Sequence, residues 1–181
     1  VRATNYRPGT RQEKSRALAQ FHEQVLERLR ALPGGVSAAA SNSIPYTRGS
    51  GDRTPAPLRV RGLANDETKL RLPLAGADVS PGFLETMEIP LLAGRGIDPR
   101  DTTDSPMVVL VNERAAKTLW PDRDPVGQEL YWGIDEPSSE NPYCKVVGVV
   151  GNVRHLAGEA DDGIELYYPY TQYPISNVYY L

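Results

Sequence analysis

The stretch from residue 77 to residue 120 constrains the possible folds of this chain most strongly. Its pattern predicts a short helix, an extended segment, a glycine-bearing turn at residues 94–96, a loop, a buried strand at residues 107–111 and a second helix. Asn112 stands directly before the second helix, where an N-cap residue is expected. Because helical and extended segments follow one another so closely, the sequence predicts an α+β domain.

The short helix within this stretch has its own start signal. Ser80 is predicted to be its N-cap, with Pro81 at the first helical position. Residues 89–92 are then predicted to be extended. Five apolar side chains are expected to be buried in the core of this region: Phe83, Leu84, Val109, Leu119 and Val147.

Residues 10–32 have the apolar spacing of an amphipathic helix that packs on a sheet. Pro33 and the two glycines after it end the pattern. His22 has no second histidine nearby, so a solvated or rim position is favoured over a role as a ligand. The predicted buried face consists of Leu18, Phe21, Val25, Leu29 and Leu32.

Alternating apolar and polar residues predict a β-hairpin formed by residues 57–63 and 69–77. Three arginines, Arg59, Arg61 and Arg71, are predicted to share its solvated face. Further strands are predicted at residues 36–44, 128–132, 165–170 and 177–181.

Residues 145–153 contain two glycines three residues apart, which invites comparison with a dinucleotide-binding loop. The spacing differs from that fingerprint, and no helix is predicted to follow. Valines on both faces indicate instead a central strand in which Gly148 and Gly151 permit close contact or a bulge. As the only cysteine, Cys144 allows neither an intramolecular disulfide nor a multi-cysteine metal site. It is predicted to be a strand residue, with a reactive thiol as the alternative.

The loop at residues 98–104 carries three carboxylates spaced three residues apart, Asp98, Asp101 and Asp104. Calcium loops need carboxylates two residues apart, so this loop is not predicted to bind calcium. No nucleophile, base or ligand set with a suitable spacing occurs elsewhere. The sequence therefore predicts no catalytic, cofactor-binding or metal-binding residues, and no cofactor.

Composition argues against two further classes of function. The formal net charge is -3 and no run of lysine or arginine occurs, which disfavours a nucleic-acid partner. No apolar run approaches the roughly 18 residues needed to cross a bilayer, and no signal peptide is evident. We therefore expect a soluble domain that forms a segment of a longer protein.

Four blocks carry a family resemblance: VSPGFLETMEIPLLAGRGI at residues 79–97, VVLVNERAAKTLWPDRDPVGQEL at 108–130, VVGVVGNVRH at 146–155 and ELYYPY at 165–170. With these blocks in order, the chain resembles the MacB-like periplasmic core domain of MacB/FtsX-type ABC transporter permeases. The resemblance covers residues 10–181. Each block alone is a weak signal, whereas the combination is specific.

The resemblance implies two subdomains. A porter-like α/β sandwich, with a helix on a mixed sheet, is placed at residues 1–78 and 165–181. A small inserted α/β subdomain of the Sabre type is placed at residues 79–164. The chain departs from the family pattern at its end, where the porter-like part normally continues with another helix and strand.

The resemblance also implies a function. It is that of a non-catalytic domain on the periplasmic side of the bacterial inner membrane, which couples cytoplasmic ATP hydrolysis to export or to mechanotransmission across the envelope. The implied partners are the transmembrane helices of the permease, a cytoplasmic ATPase that acts indirectly, a periplasmic adaptor or lipoprotein, and a second copy in a dimeric transporter. Flexibility is expected in the loops at residues 49–55 and 134–141.

Two other functions remain open. One is a docking adaptor that binds a periplasmic partner without moving substrate. The other is a hydrolase built on clustered carboxylates, although acid–base chemistry needs a pair held in a cleft and these residues lie in glycine- and proline-rich loops. The carboxylates concerned are Asp98, Asp101, Asp104, Glu159, Asp161 and Asp162.

Overall fold

The computed structural model describes residues 11–34, 37–43, 54–62, 70–133, 136–138, 142–153, 163–172 and 179–180. Within these residues the chain forms three helices and nine strands. The helices are α1 (Arg11–Arg30), α2 (Phe83–Thr86) and α3 (Glu113–Leu119). The strands are β1 (Ala40–Ser41), β2 (Thr54–Val60), β3 (Leu70–Val79), β4 (Leu91–Gly94), β5 (Val108–Asn112), β6 (Glu129–Trp132), β7 (Cys144–Val150), β8 (Ile164–Pro169) and β9 (Tyr179–Tyr180).

The described strands form one mixed sheet, and six of them pair in a closed ring. β2 pairs antiparallel with both β3 and β6, and β6 pairs antiparallel with β7. β7 runs parallel to β5, β5 antiparallel to β8, and β8 parallel to β3, which closes the ring. β1 and β9 continue the sheet beyond the end of β3, and β4 pairs with the end of β7. This mixed architecture confirms the predicted α+β fold class.

The larger hydrophobic core lies on the face of the sheet that α3 covers. Because side chains alternate along a strand, Val109 and Val111 of β5 reach this core, whereas Leu110 belongs to a smaller core on the other face. α3 contributes Ala115 and Leu119. The other strand residues in the larger core are Leu58, Val60, Leu130, Cys144, Val146, Val149, Ile164, Leu166 and Tyr168.

Four of the five predicted core residues are buried as expected: Phe83, Leu84, Val109 and Leu119. Val147 is only half-buried, so this prediction is wrong. The register of β5 on β7 pairs Val109 with Val146 and Leu110 with Gly148, which leaves Val147 without an opposite residue. Such a bulge interrupts the alternation on which the prediction relied, and Val147 packs only at the border of the smaller core.

Leu119→Ala should lower the free energy of unfolding by about 2–5 kcal/mol, because a transfer term and a cavity term add. Leu119 is buried where α3 packs against β5, β7 and β8. Urea-induced unfolding measures the loss. The control is Lys117→Ala on the exposed face of α3, where an i,i+4 pair with Glu113 accounts for roughly 0.5 kcal/mol. An unchanged midpoint for Leu119→Ala would show that this face of α3 does not contact the core.

α1 is the predicted amphipathic helix, but a different line of residues is buried. Leu26 is fully buried against Ala38 and Ala40, whose small side chains allow the helix to approach the sheet. His22, one turn earlier, is buried as well, which corrects its predicted solvated or rim position. The buried face of α1 therefore includes a polar residue, His22, four positions before Leu26. Apolar spacing alone did not identify this face, because one of its residues is polar.

Two residues of the predicted buried face of α1 are exposed instead: Phe21 by 40% and Leu32 by 57%. Leu32 follows the last helical residue, Arg30, so helical spacing no longer fixes its direction. Phe21 lies about 100° around the helix from His22, at the border of the contact with the sheet. The other three predicted residues are half-buried: Leu18, Val25 and Leu29.

The start of α2 also differs from the prediction, whereas the start of α3 agrees with it. The N-cap of α2 is Gly82, in the left-handed conformation with φ 83°, and not Ser80. Ser80 is buried, and its hydroxyl accepts a hydrogen bond from the Ala40 backbone N–H at 2.9 Å. Asn112 is the N-cap of α3, and its side chain accepts from the Ala115 backbone N–H.

Arg59 of β2 is buried, although the sequence predicted a solvated side chain. Its guanidinium donates to the Gly133 carbonyl at 3.1 Å and to the Glu136 carboxylate at 2.9 Å, so the chain after β6 covers it. Arg61 is largely exposed, as predicted. β2 and β3 form the predicted antiparallel pair. The Arg71 side chain and the predicted turn at residues 64–67 lie outside the described residues.

Candidate functional site

The acidic loop between β4 and β5 holds its carboxylates in ion pairs. Both Asp101 oxygens accept hydrogen bonds from Arg95, at 2.7 and 2.8 Å, and Asp101 is buried. Both Asp98 oxygens accept from Arg100, at 2.8 Å each. These bonds lower the pKa of Asp98, and the bond that Arg95 donates to Asp101 raises the pKa of Arg95. The charged forms of Asp98 and Arg95 are therefore favoured.

Asp104, the third carboxylate of the loop, pairs with a distant part of the chain. Its two oxygens accept from the Arg16 guanidinium of α1 at 2.8 and 2.7 Å. The two side chains are 58% and 63% exposed. An ion pair this exposed contributes little to stability, yet it joins the acidic loop to α1.

The end of β8 holds the acidic loop from the other side. The buried Gln172 side chain accepts from the Val108 backbone N–H at 3.0 Å. Its amide nitrogen donates to the Thr102 carbonyl at 3.2 Å, the Ser105 hydroxyl at 3.0 Å and the Pro106 carbonyl at 2.9 Å. We call the acidic loop at residues 95–106, with Arg16, Thr171 and Gln172, the polar hub.

Thr171 completes the polar hub, because its hydroxyl donates to the Asp101 carbonyl. The hub thus joins three parts of the chain that are far apart in sequence: α1, the loop before β5 and the end of β8. The sequence analysis missed Thr171 and Gln172. Nothing local marks a threonine or glutamine after a strand as the partner of a loop roughly 70 residues away, so no sequence signal was available.

The hub brings together three carboxylates of the hydrolase hypothesis, but each has its own arginine. Acid–base catalysis needs two acids with separated pKa values facing one cleft, which this arrangement does not provide. The other three, Glu159, Asp161 and Asp162, lie outside the described residues.

Among the described residues, no group of three or more histidine, cysteine or acidic side chains is placed to hold a metal ion. Two cavities, one bordered by Gly76 and Glu165 and the other by Ser80 and Phe83, each have a volume of ≈ 10 Å³. That volume is about enough for one water molecule, so neither cavity could accept a substrate.

Gly148 of β7 and Gly151 directly after it make the close contacts predicted for them. A side chain at Gly148 would meet the backbone oxygens of Arg95 and Ala93, and one at Gly151 would meet the ring of Pro90. Residues 151–153 after β7 are not helical, so no helix N-terminus of a dinucleotide site occurs in the described part of this region. Cys144 is buried in β7, which confirms it as a strand residue.

A family model described as the MacB-like periplasmic core domain matches residues 2–180. The chain belongs to this family. It is a periplasmic domain of a MacB/FtsX-type ABC transporter permease. No helix in the described part of this MacB-like domain has the length and apolar character needed to cross a membrane. No curated protein matches the chain.

Solved structures agree with this assignment at the level of the fold. The periplasmic region of MacB from Actinobacillus actinomycetemcomitans is 18% identical, with a TM-score of 0.53 over 83% of this chain and 55% of that chain. A domain of a putative permease protein from Porphyromonas gingivalis is 16% identical, with a TM-score of 0.55 over 86% and 65%. The extracellular domain of the noncanonic ABC-type transporter YknZ from Gram-positive bacteria is 16% identical, with a TM-score of 0.51 over 86% and 70%. The MacB-like domain thus spans only part of each of these structures.

Proposed function

We propose that this MacB-like domain does no chemistry of its own and passes on conformational change that is driven by ATP hydrolysis in the cytoplasm. The polar hub carries this proposal. A part that transmits displacement has to resist deformation, and densely packed, hydrogen-bonded structure does so. The hub supplies such bonds between α1, the acidic loop and the end of β8, where the larger core does not reach.

The proposed subdomains, residues 1–78 with 165–181 and residues 79–164, would meet at the hub. Arg16 and Gln172 belong to the porter-like part, and the acidic loop belongs to the insertion. β8 also pairs with β5 of the insertion, and β2 pairs with β6, so hydrogen-bonded strands join the two proposed parts. We propose that the two parts move together under load, with the hub as their polar connection.

The proposed partners follow from the membership of a permease. They are the transmembrane helices of the same protein, a cytoplasmic ATPase that acts through those helices, and a second permease in a dimer. A periplasmic adaptor or lipoprotein would receive the transmitted motion.

A charge exchange between Arg16 and Asp104 tests the proposal in the full-length permease. Arg16→Glu and Asp104→Arg should each reduce transport, because each places like charges where α1 meets the acidic loop. The double variant should restore transport, because it rebuilds the pair with its signs reversed. The free energy of unfolding of the isolated domain should change by less than about 1 kcal/mol in every variant, since the pair is exposed.

The matched control is Arg100→Glu, because Arg100 pairs with Asp98 inside the same loop and contacts no second element among the described residues. Transport by this variant should match that of the unchanged permease. Normal transport by both single variants at positions 16 and 104 would refute the hub as a transmitting connection.

A docking adaptor is the second candidate function, and β4 is the observation that favours it. β4 pairs only with β7 among the described strands, and all four of its residues are exposed. Leu91 and Leu92 are 45% and 51% exposed, which is unusual for neighbouring leucines on a strand. Leu91→Lys with Leu92→Lys should abolish partner binding under this hypothesis, whereas the exchange between residues 16 and 104 should leave binding unchanged.

A further inference from the structure

β1 is a two-residue strand between β3 and β9, and a titratable group lies at each of its edges. Ser41 pairs with Val79 of β3 on one side, and Ala40 pairs with Tyr180 of β9 on the other. Asp78 lies on the β3 side, next to Val79. His22 of α1 contacts Tyr180 on the β9 side. The attachment of β1 to its two neighbours therefore involves two groups that can change charge.

His22 is enclosed by aromatic rings. Its ring centroid lies 5.5 Å from that of Phe21, 5.9 Å from that of Tyr170 and 5.8 Å from that of Tyr180. Nδ1 is 2.5 Å from the Tyr180 hydroxyl. Nε2 is buried and has no hydrogen-bond partner in the described residues. Protonation would put a positive charge in this buried site, and the Nε2–H would have no acceptor among the described residues.

The charged groups near His22 do not remove this cost. Glu23 of α1 accepts a hydrogen bond from the Tyr170 hydroxyl at 3.3 Å, and Arg30 lies 3.7 Å from the same carboxylate, so a cation already faces Glu23. Ala38 and Ala40, which pack on α1, carry no charge. Burial lowers the pKa of His22.

Asp78 and Asn42 hold the opposite edge of β1. The Asn42 side chain donates to the Asp78 carboxyl at 2.6 Å and accepts from the Asp78 backbone N–H at 2.8 Å. The Asn42 backbone N–H donates to the Asp78 carbonyl at 3.1 Å. Burial raises the pKa of Asp78 to about 6.

We propose that the contact of α1 with β9 is an acid-sensitive joint. Protonation of His22 releases Tyr180 and β9 from α1, while β1 stays attached to β3 through Asn42 and Asp78. Acid would thus weaken the attachment of β1 to β9 and leave its attachment to β3 intact. In a domain on the outer side of the membrane, this makes the attachment of α1 to the sheet depend on the pH outside the cytoplasm.

The two groups respond to acid with opposite signs. The folded-state pKa of His22 is below its ordinary value of 6.5, so its contribution is present above pH 6.5 and is lost as the pH falls below that value. The folded-state pKa of Asp78 is above its ordinary value of 3.8, so its contribution is present below that value and is lost as the pH rises through about 6. The two effects partly cancel in the global stability, and a local measurement is needed.

NMR titration of the domain from pH 7.5 to pH 5 provides that measurement. The His22 ring should titrate below pH 6.5. The protection of the Tyr179 backbone amide, which lies opposite Ser41 of β1, should fall over this range once it is corrected for intrinsic exchange. The Asn42 amide, which donates to the Asp78 carbonyl, should keep its protection over the same range.

His22→Gln should remove the acid-induced loss of protection at the Tyr179 amide, because glutamine does not titrate in this range. His155→Gln is the matched control, since the chain has two histidines, and it should leave the loss unchanged. A persistent loss of protection at the Tyr179 amide in His22→Gln would overturn the proposal. A His22 ring that titrates at pH 6.5 or above would overturn it as well, and that titration needs only the unchanged chain.

Discussion

Asn112→Ala should lower the free energy of unfolding by about 3–9 kcal/mol, because it leaves three buried backbone groups without a partner at roughly 1–3 kcal/mol each. The Asn112 side-chain oxygen accepts from the Ala115 N–H at 2.9 Å and from the Glu165 N–H at 3.1 Å. Its amide nitrogen donates to the Gly163 carbonyl at 2.9 Å. One side chain therefore caps α3 and fixes the start of β8. Its removal would therefore destabilise both the start of α3 and the start of β8.

Chemical denaturation of three variants gives a graded test of this role. Asn112→Asp keeps the acceptor for Ala115 and Glu165 but loses the donor to Gly163, so its loss should be intermediate. Asn152→Ala is the control. Asn152 also accepts from a backbone N–H of α3, that of Arg114, but this bond is exposed and water replaces it, so a loss below about 1 kcal/mol is expected. Equal losses for the Asn112 and Asn152 alanine variants would contradict the assigned role.

Elements whose signals are local in sequence could be predicted. The cap at Asn112, the strand before it and the helix after it depend on neighbouring residues, and the structure has all three. A run of valines predicted the strand at residues 145–150, and the two glycines predicted a close contact or a bulge there. Such features depend on residues within a few positions of one another, so one sequence is sufficient to predict them.

Features set by distant contacts could not be predicted in this way. Arg59 has the alternation of an exposed strand residue, yet the chain after β6 covers it. His22 is buried because Tyr180 and Tyr170 lie against it. Trp132 stacks on Tyr168 and occupies the space beside Gly76, which no spacing rule anticipates. In each case the environment comes from a partner that a single sequence does not identify.

The role of the polar hub could not be predicted from the sequence either, because it also depends on distant contacts. The sequence located the carboxylates at residues 98, 101 and 104, but not the arginines that each of them binds. A row of acids with unknown partners is compatible with catalysis, metal binding or an ordinary solvated turn. Pairing with arginine distinguishes a connecting structure from a reactive one, because a carboxylate held by an arginine is stabilised as an anion.

The second large expected effect is steric, and it arises because β4 lies close to β7. A Cβ at Gly148 would lie under 3.0 Å from the Arg95 backbone oxygen, with the Ala93 oxygen at 3.1 Å and the Leu110 side chain at 3.0 Å. Two of these three atoms belong to the backbone and cannot move aside by a change of rotamer. Gly148 also follows the bulge at Val147 in the β5–β7 pair, so displacing it would disturb the pairing on both sides of β7.

Gly148→Val is therefore expected to prevent folding, even though valine has a higher strand propensity than glycine. A decrease of about 5 kcal/mol or more in the free energy of unfolding would equal the whole stability of many domains of this size. Circular dichroism and gel filtration of the purified variant would show an unfolded chain. Gly96→Ala is the control, because a Cβ there would meet only the Leu84 side chain, at 3.7 Å, and this variant should stay folded. A folded Gly148→Val domain with normal stability would show that β4 can separate from β7 at little cost. The connection from β4 through the acidic loop would then be too loose to transmit displacement.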